Sequence, residues 1–131
     1  MSKGSVFIVN QDTGSLINVR SRREGNIGVI YAGDYLNKLT GERIEREAQN
    51  LLEAGCLALI VSFRDTQLVN SIGVSILLGI IDAAKKTNAD LVFTEINEHT
   101  AELFEMLGLA RHVRLEKDEA TAINSFQIAV S

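Results

Sequence analysis

Ser71 is the hydroxyl in this chain best placed to do chemistry. It stands in Val69-Asn70-Ser71-Ile72-Gly73, between a polar connector (residues 62–70) and the apolar run SIGVSILLGIIDAAKK. A side chain at the start of a helix lies at the positive end of the helix dipole, beside N–H groups that have no intrahelical partner. Two uses follow. Asn70 or Ser71 can cap the helix by accepting from those N–H groups. Alternatively, the Ser71 hydroxyl can accept a phosphoryl group, which the same N–H groups and dipole would hold. A phosphate there adds about −1.5 to −2 charge to the surface around it. If that surface docks onto a partner, the new charge must be desolvated or repelled, and the partner is released. Such a switch requires a kinase elsewhere and no catalytic machinery in this chain.

Other chemistry is thinly supplied. The candidate metal ligands His99, His112 and Cys56 form no pair at ligand spacing, so no metal is expected. No glycine-rich phosphate loop of the GxGxxG or GxxxxGK[ST] type occurs, and no GxSxG nucleophile elbow. Gly73 and Gly79 lie inside one helical run, a spacing for close packing rather than phosphate binding. No carboxylate pair sits in an apolar context that would tune it for acid–base work. Neither an enzyme nor a cofactor is expected.

The bulk properties set the frame. At 131 residues, with 46% hydrophobic and 23% charged residues, the chain is expected to fold as one domain with a single core, residues 1–15 being an extension or extra strand. The net charge of −4 gives no footprint for nucleic acid or an anionic membrane, and Arg20, Arg22, Arg23, Lys85 and Lys86 read as solvated ends. Cys56 beside LALIV reads as a small core residue in a reducing compartment. No stretch is long enough to span a membrane, and the first apolar segment is too short for a signal peptide, so a cytoplasmic location is expected.

The elements that must position Ser71 follow in order. Ser5–Val9 and Leu16–Val19 read as short extended pieces and Ile27–Ala32 as a β-branched strand, with turns at Asp12-Thr13-Gly14 and Glu24-Gly25-Asn26. Together they predict an antiparallel hairpin. A helix follows Thr40, read as its cap, with Ile44, Ala48, Leu51 and Leu52 inward and Gly55 as its end. The continuous apolar run Cys56–Val61 predicts a parallel strand buried on both faces. The helix Ser71–Lys86 is apolar around most of its first three turns and is expected to be deeply covered. Asp90–Thr94 is a strand. Asn97 caps a helix over residues 98–107, with Ala101, Leu103, Phe104 and Leu107 inward and Gly108 as terminator. Residues 112–115 predict an edge strand and Asp118–Phe126 a last helix. The alternation predicts an α/β fold with a mixed central sheet, an N-terminal antiparallel hairpin and about four helices.

This order of motifs resembles the STAS family, the anti-sigma factor antagonists in particular. There a strand leads through a connector to I-D-S-x-G, matched here by Val69-Asn70-Ser71-Ile72-Gly73. A downstream V-x-x-L-F-x-x-x-G-L is matched by Thr100 to Leu109, and an upstream G-x-L-D-x-x-T loosely by Gly33 to Thr40 with one extra residue. The resemblance covers roughly residues 17–123 and implies a small mixed-sheet fold that binds an anti-sigma factor, itself a serine kinase. It also implies release on phosphorylation of Ser71 and resetting by a phosphatase. The implied partner surface comprises Leu36, Asn37, Thr40, Asn70, Ile72, Gly73 and Val74, with no nucleic acid and no membrane insertion. The family's acids in both motifs are replaced by Asn37 and Asn70. Loss of two carboxylates could slow phosphorylation, whereas Asn70 keeps the capping geometry and removes negative charge beside an incoming phosphate. The alternative is a non-phosphorylated STAS interaction module, in a signalling scaffold or an ABC-transporter ATPase complex.

Overall fold

The computed structural model describes residues 19–130, with side chains to Phe126; the pieces expected at Ser5–Val9 and residues 12–18 lie outside this range. Five strands, β1 (Arg20–Glu24), β2 (Ile27–Tyr31), β4 (Ala58–Ser62), β6 (Asp90–Thr94) and β7 (Arg114–Glu116), form one sheet in that spatial order. β1 and β2 are an antiparallel hairpin, and the remaining neighbours pair in parallel. Two further short strands, β3 (Tyr35–Leu36) and β5 (Leu68–Val69), pair with each other in parallel outside the main sheet. Helices α1 (Lys38–Glu53), α2 (Ser71–Lys86), α3 (Glu98–Met106) and α4 (Glu119–Val130) complete the expected mixed-sheet α/β architecture.

Strand alternation sorts the core into two layers. Leu59, Val61, Ile30 and Phe93 face α1, α2 and α3 and pack on Ile44, Leu77, Ile80 and Phe104. Ala58, Ile60, Ile27, Val29 and Val92 face α4 and pack on Ala122, Ile123 and Phe126. All five residues of β4 are therefore buried, which is why the run reads as unbroken hydrophobicity.

Several boundaries differ from expectation for identifiable reasons. Arg20, Arg22 and Arg23 are not loose ends; they belong to β1, an edge strand with little buried surface and therefore no apolar alternation. Thr40 does not cap α1. Asn37 does, its Oδ1 accepting from Thr40 N at 2.9 Å. Leu107 is exposed rather than inward, because α3 ends at Met106 and the chain turns through Gly108 at φ 78° into a 3₁₀ turn, Leu109–Arg111. His112 ends that turn and lies outside β7.

A polar latch fixes α4 to the sheet. Tyr31 Oη donates to Glu119 Oε1 at 2.8 Å, Arg22 Nε donates to Tyr31 Oη at 3.1 Å, and Arg22 pairs directly with Glu119. Burial works against the Glu119 charge, but the hydrogen bonds from Arg22 and Tyr31 outweigh it and hold the carboxyl below its ordinary range. A lowered folded-state pKa stabilises the fold above the unfolded value of about 4.3, and that contribution is lost as pH falls through the folded value. Glu119→Gln is therefore expected to cost about 1 kcal/mol at pH 7. The gap to the unaltered chain should shrink toward pH 3, as read by urea unfolding at both values. A gap equal at the two would remove the charge from the explanation.

Candidate functional site

The site is built where two loops are tied together. In the small sheet Tyr35 lies opposite Leu68 and Leu36 opposite Val69. Asp34 O accepts from Gln67 N (2.8 Å), Leu36 O accepts from Asn70 N (2.9 Å), and the buried Thr66 hydroxyl donates to Gly33 O at 2.6 Å. The strands β3 and β5 lead directly into α1 and α2, so the two helix N-termini emerge side by side. Each is capped by an asparagine: Asn37 Oδ1 accepts from Thr40 N, and Asn70 Oδ1 accepts from Gly73 N at 2.8 Å. Asn serves an N-cap as well as Asp does, so the two amides keep the local geometry without the charge.

Gly73 is what lets the helices approach. A Cβ there would lie 2.6 Å from Leu36 O and 2.9 Å from Asn37 N, both backbone atoms. Gly41 on α1 also approaches α2, less tightly: a Cβ would sit 3.1 Å from Ile76 Cβ and 3.2 Å from Gly73 O. Position 73 thus shapes the site by having no side chain.

Because Asn70 caps α2, Ser71 does not. It is the first helical residue, exposed, and among the described residues its Oγ has no hydrogen-bond partner. The contrast with other serines is informative. Ser62 Oγ donates to Glu95 Oε1 at 2.6 Å, Ser75 Oγ donates to Ser71 O at 2.9 Å, and Ser21 Oγ donates to Glu47 at 2.7 Å. The backbone N–H groups of Ser71 and Ile72 also meet no acceptor among the described residues. An anionic group on Ser71 would find two free donors and a helix dipole within reach.

The residues expected to meet a partner divide sharply. Ile72 is 58% exposed and stands next to the hydroxyl, and Asn37 and Asn70 are half-buried at the caps. Leu36 and Val74 are fully buried in the core and Thr40 is nearly so, so these three support the surface without forming it. The expectation of a deeply covered α2 is corrected as well: Ile72 and Leu78 are exposed. Three further apolar side chains are substantially exposed: Leu39, on the first turn of α1 and within the loop expected to meet a partner, and Tyr35 and Leu68, on β3 and β5, which went unrecognised in the sequence. The available signal was an apolar pair, Leu68-Val69, inside an otherwise polar connector. Asn70 Nδ2 donates to Tyr35 Oη at 3.3 Å, joining the phenol to the cap beside Ser71. The result is a solvent-facing hydroxyl skirted by apolar side chains. Among the described residues no group of three or more His, Cys, Asp or Glu is placed to hold a metal, and no helix is long and apolar enough to cross a membrane. Cys56 is buried.

Fold and site together define a small mixed-sheet α/β module whose distinctive feature is a free serine at a helix start, set in an exposed apolar surface. A family model described as STAS domain matches residues 18–122, and the chain belongs to that family. Its fold is shared with RsbS from Moorella thermoacetica, at TM-score 0.75 and 15% identity over 86% of this chain and 97% of that one. The anti-sigma factor antagonist SpoIIAA in its unphosphorylated form matches at TM-score 0.71 and 17% identity, over 83% and 96% of the two chains. The phosphorylated form of SpoIIAA, from Bacillus, matches at TM-score 0.66 and 16% identity, over 82% and 98%. The STAS domain of a SulP transporter from Vibrio cholerae matches at 0.65 and 17% identity, over 83% and 90%.

Proposed function

We propose that this chain is an anti-sigma factor antagonist: it binds an anti-sigma factor that is also a serine kinase, and is released when Ser71 is phosphorylated. The observation that carries this reading is the division of labour at the start of α2. Asn70 takes the structural role of cap, which leaves the Ser71 hydroxyl exposed and uncommitted. Its apolar neighbours Ile72, Tyr35, Leu68 and Leu39 supply the partner contact. Hydrophobic contact around a neutral hydroxyl is favourable, whereas a dianionic phosphate in the same place must shed its hydration to be buried. Kinase and phosphatase come from other proteins; the chain itself acts as a cytoplasmic binding module without catalysis.

A second reading keeps the same surface but makes it constitutive, as in a signalling scaffold or a transporter-associated module. It draws support from Asn37 and Asn70, which satisfy their helix ends without the carboxylates that the switch motif carries. The two readings diverge in one experiment. The chain is incubated with an anti-sigma factor kinase and ATP, phosphate is located by mass spectrometry, and binding is measured for the Ser71→Ala and Ser71→Asp variants. Expected are a single phosphate on Ser71, binding by Ser71→Ala within about threefold, and binding by Ser71→Asp weaker by about tenfold or more. Because Ser71 is not the cap, both variants are expected to fold. No phosphate on Ser71, together with tight binding by Ser71→Asp, would sink the switch in favour of the constitutive module.

A further inference from the structure

At the far end of α2, about 21 Å from Ser71 along the helix axis, an open cleft of about 410 Å³ lies between the last turn of α2, the start of β6 and the turn that leads into β7. Its floor is closed by buried Ile81, Ala84 and Val113, and its rim carries three exposed side chains, Lys85, Arg111 and His112. Lys85 Nζ lies 3.2 Å from His112 Nδ1. A lysine ammonium only donates, so the contact is a hydrogen bond in the imidazole tautomer whose Nδ1 accepts and whose Nε2 carries the proton. These three side chains present the remaining ammonium N–H groups, a guanidinium and, in that tautomer, an imidazole N–H.

The backbone acceptors at the end of α2 are spent. The last carbonyls of α2 are already paired: Ala83 O with Thr87 N, Ala84 O with Ala89 N, and Lys85 O with Asn88 N. The single Thr87 hydroxyl proton is shared between Ala83 O and Ala84 O, each 3.2 Å from Oγ1, which further offsets the negative end of the dipole. Asp90, the one carboxylate among the lining residues, is exposed at the first position of β6 and shares the strand register of Val92, which packs on the α4 face. Arg114 is drawn to that face too, bonded to Ser125 and Glu116 and stacked over Phe126. Arg111 has no carboxylate within ion-pair distance among the described residues. In a chain of net charge −4, a concave cluster with Lys85, Arg111 and His112 against a single carboxylate is a local exception.

We infer that this cleft binds a phosphate group, free or as the monoester of a small hydrophilic molecule, through Lys85, Arg111 and His112. The guanidinium fork matches two phosphate oxygens, and the ammonium supplies a point charge to a third. This site is separate from Ser71 and stands whether or not Ser71 is modified.

Amide chemical shifts of the full chain, titrated with inorganic phosphate and separately with glycerol 3-phosphate at constant ionic strength, test it. Saturable shifts are expected at Lys85, Ala89 and residues 111–113 and none at residues 70–74. The tighter of the two probes identifies whether free phosphate or the monoester is the ligand class. The double substitution Lys85→Gln with Arg111→Gln should weaken binding by at least about tenfold. Lys86→Gln, which alters an exposed lysine paired with Asp82 at 3.1 Å, should leave it unchanged. Non-saturating shifts with both probes, the same response to chloride, or undiminished affinity in the double variant would overturn the assignment.

Discussion

Phe93→Ala is expected to lower the unfolding free energy by about 3–5 kcal/mol, the usual range for deleting a fully buried aromatic side chain. The ring has no solvent exposure and sits edge-to-face against Phe63 at 5.3 Å and Phe104 at 5.8 Å, which themselves meet at 5.8 Å. Three elements converge in this cluster. Phe93 belongs to β6, Phe104 to α3, and Phe63 opens the connector that leads to Ser71, its N–H donating to Thr94 O at 3.0 Å. Aromatic residues are only 5% of the chain, so three meeting at one point supply contacts that the aliphatic core does not duplicate. Each edge-to-face pair contributes about 0.5–1.5 kcal/mol beyond its buried area. The loss should lower the melting temperature by on the order of 10–20 °C. Phe93→Leu, which keeps most of the volume, should cost less than half as much. A double-mutant cycle with Phe104→Ala should return a coupling of about 1 kcal/mol. A loss below about 1.5 kcal/mol for Phe93→Ala would show that the cluster collapses around the gap and is not a rigid support for the connector.

The second large effect concerns sign as well as size. Gly→Ala inside a helix ordinarily stabilises by about 1 kcal/mol, because glycine surrenders more backbone freedom on folding. Gly79→Ala on α2 should follow that rule: its Cβ would meet only the carboxylate tip of Glu45, at 2.5 Å, and a flexible side chain can swing aside. Gly73→Ala, on the same helix, should do the opposite and destabilise by about 2–3 kcal/mol. Its Cβ would lie 2.6 Å from Leu36 O and 2.8 Å from Leu36 C, and backbone cannot rotate away. Relief requires parting β3 from the start of α2, which strains the Asn70 N to Leu36 O bond and separates the two capped helix ends. Partner binding should therefore fall along with stability. Urea unfolding of the two alanine variants side by side measures the contrast directly. If Gly73→Ala proved as stable as Gly79→Ala, the close approach would not be what shapes the Ser71 surface.

Much of this protein was legible without coordinates, for physical reasons that can be named. A strand buried on both faces has no choice but to be apolar throughout, so Cys56 to Val61 announced β4 to within two residues. Helix ends have unpaired N–H groups that demand a particular kind of neighbour, so Asn97 marked the start of α3 and the pair Asn70-Ser71 the start of α2. The antiparallel start, the parallel remainder and the four helices all followed from such local requirements. So did the position of Ser71 at the start of α2.

Other features came from contacts between distant segments and left almost no local trace. β3 and β5 are two residues each, too short for any periodicity, and exist because they pair with each other. That pairing leaves Tyr35 and Leu68 exposed and Leu36 in the core, where Val74 of α2 is buried too. A sequence shows that all four are apolar, but which of them faces water depends on what stands behind each one. The same holds for Arg22, whose role as a latch depends on Glu119, ninety-seven residues away. The cleft at Lys85 likewise joins side chains from two turns that never approach each other in sequence. The sequence by itself determined the order of elements and the serine at the start of α2, because capping and strand burial are satisfied locally. Only the tertiary structure decided that Asn70 takes the cap, leaving the Ser71 hydroxyl free, and which apolar residues surround it, because both depend on how β3 and β5 bring two loops together.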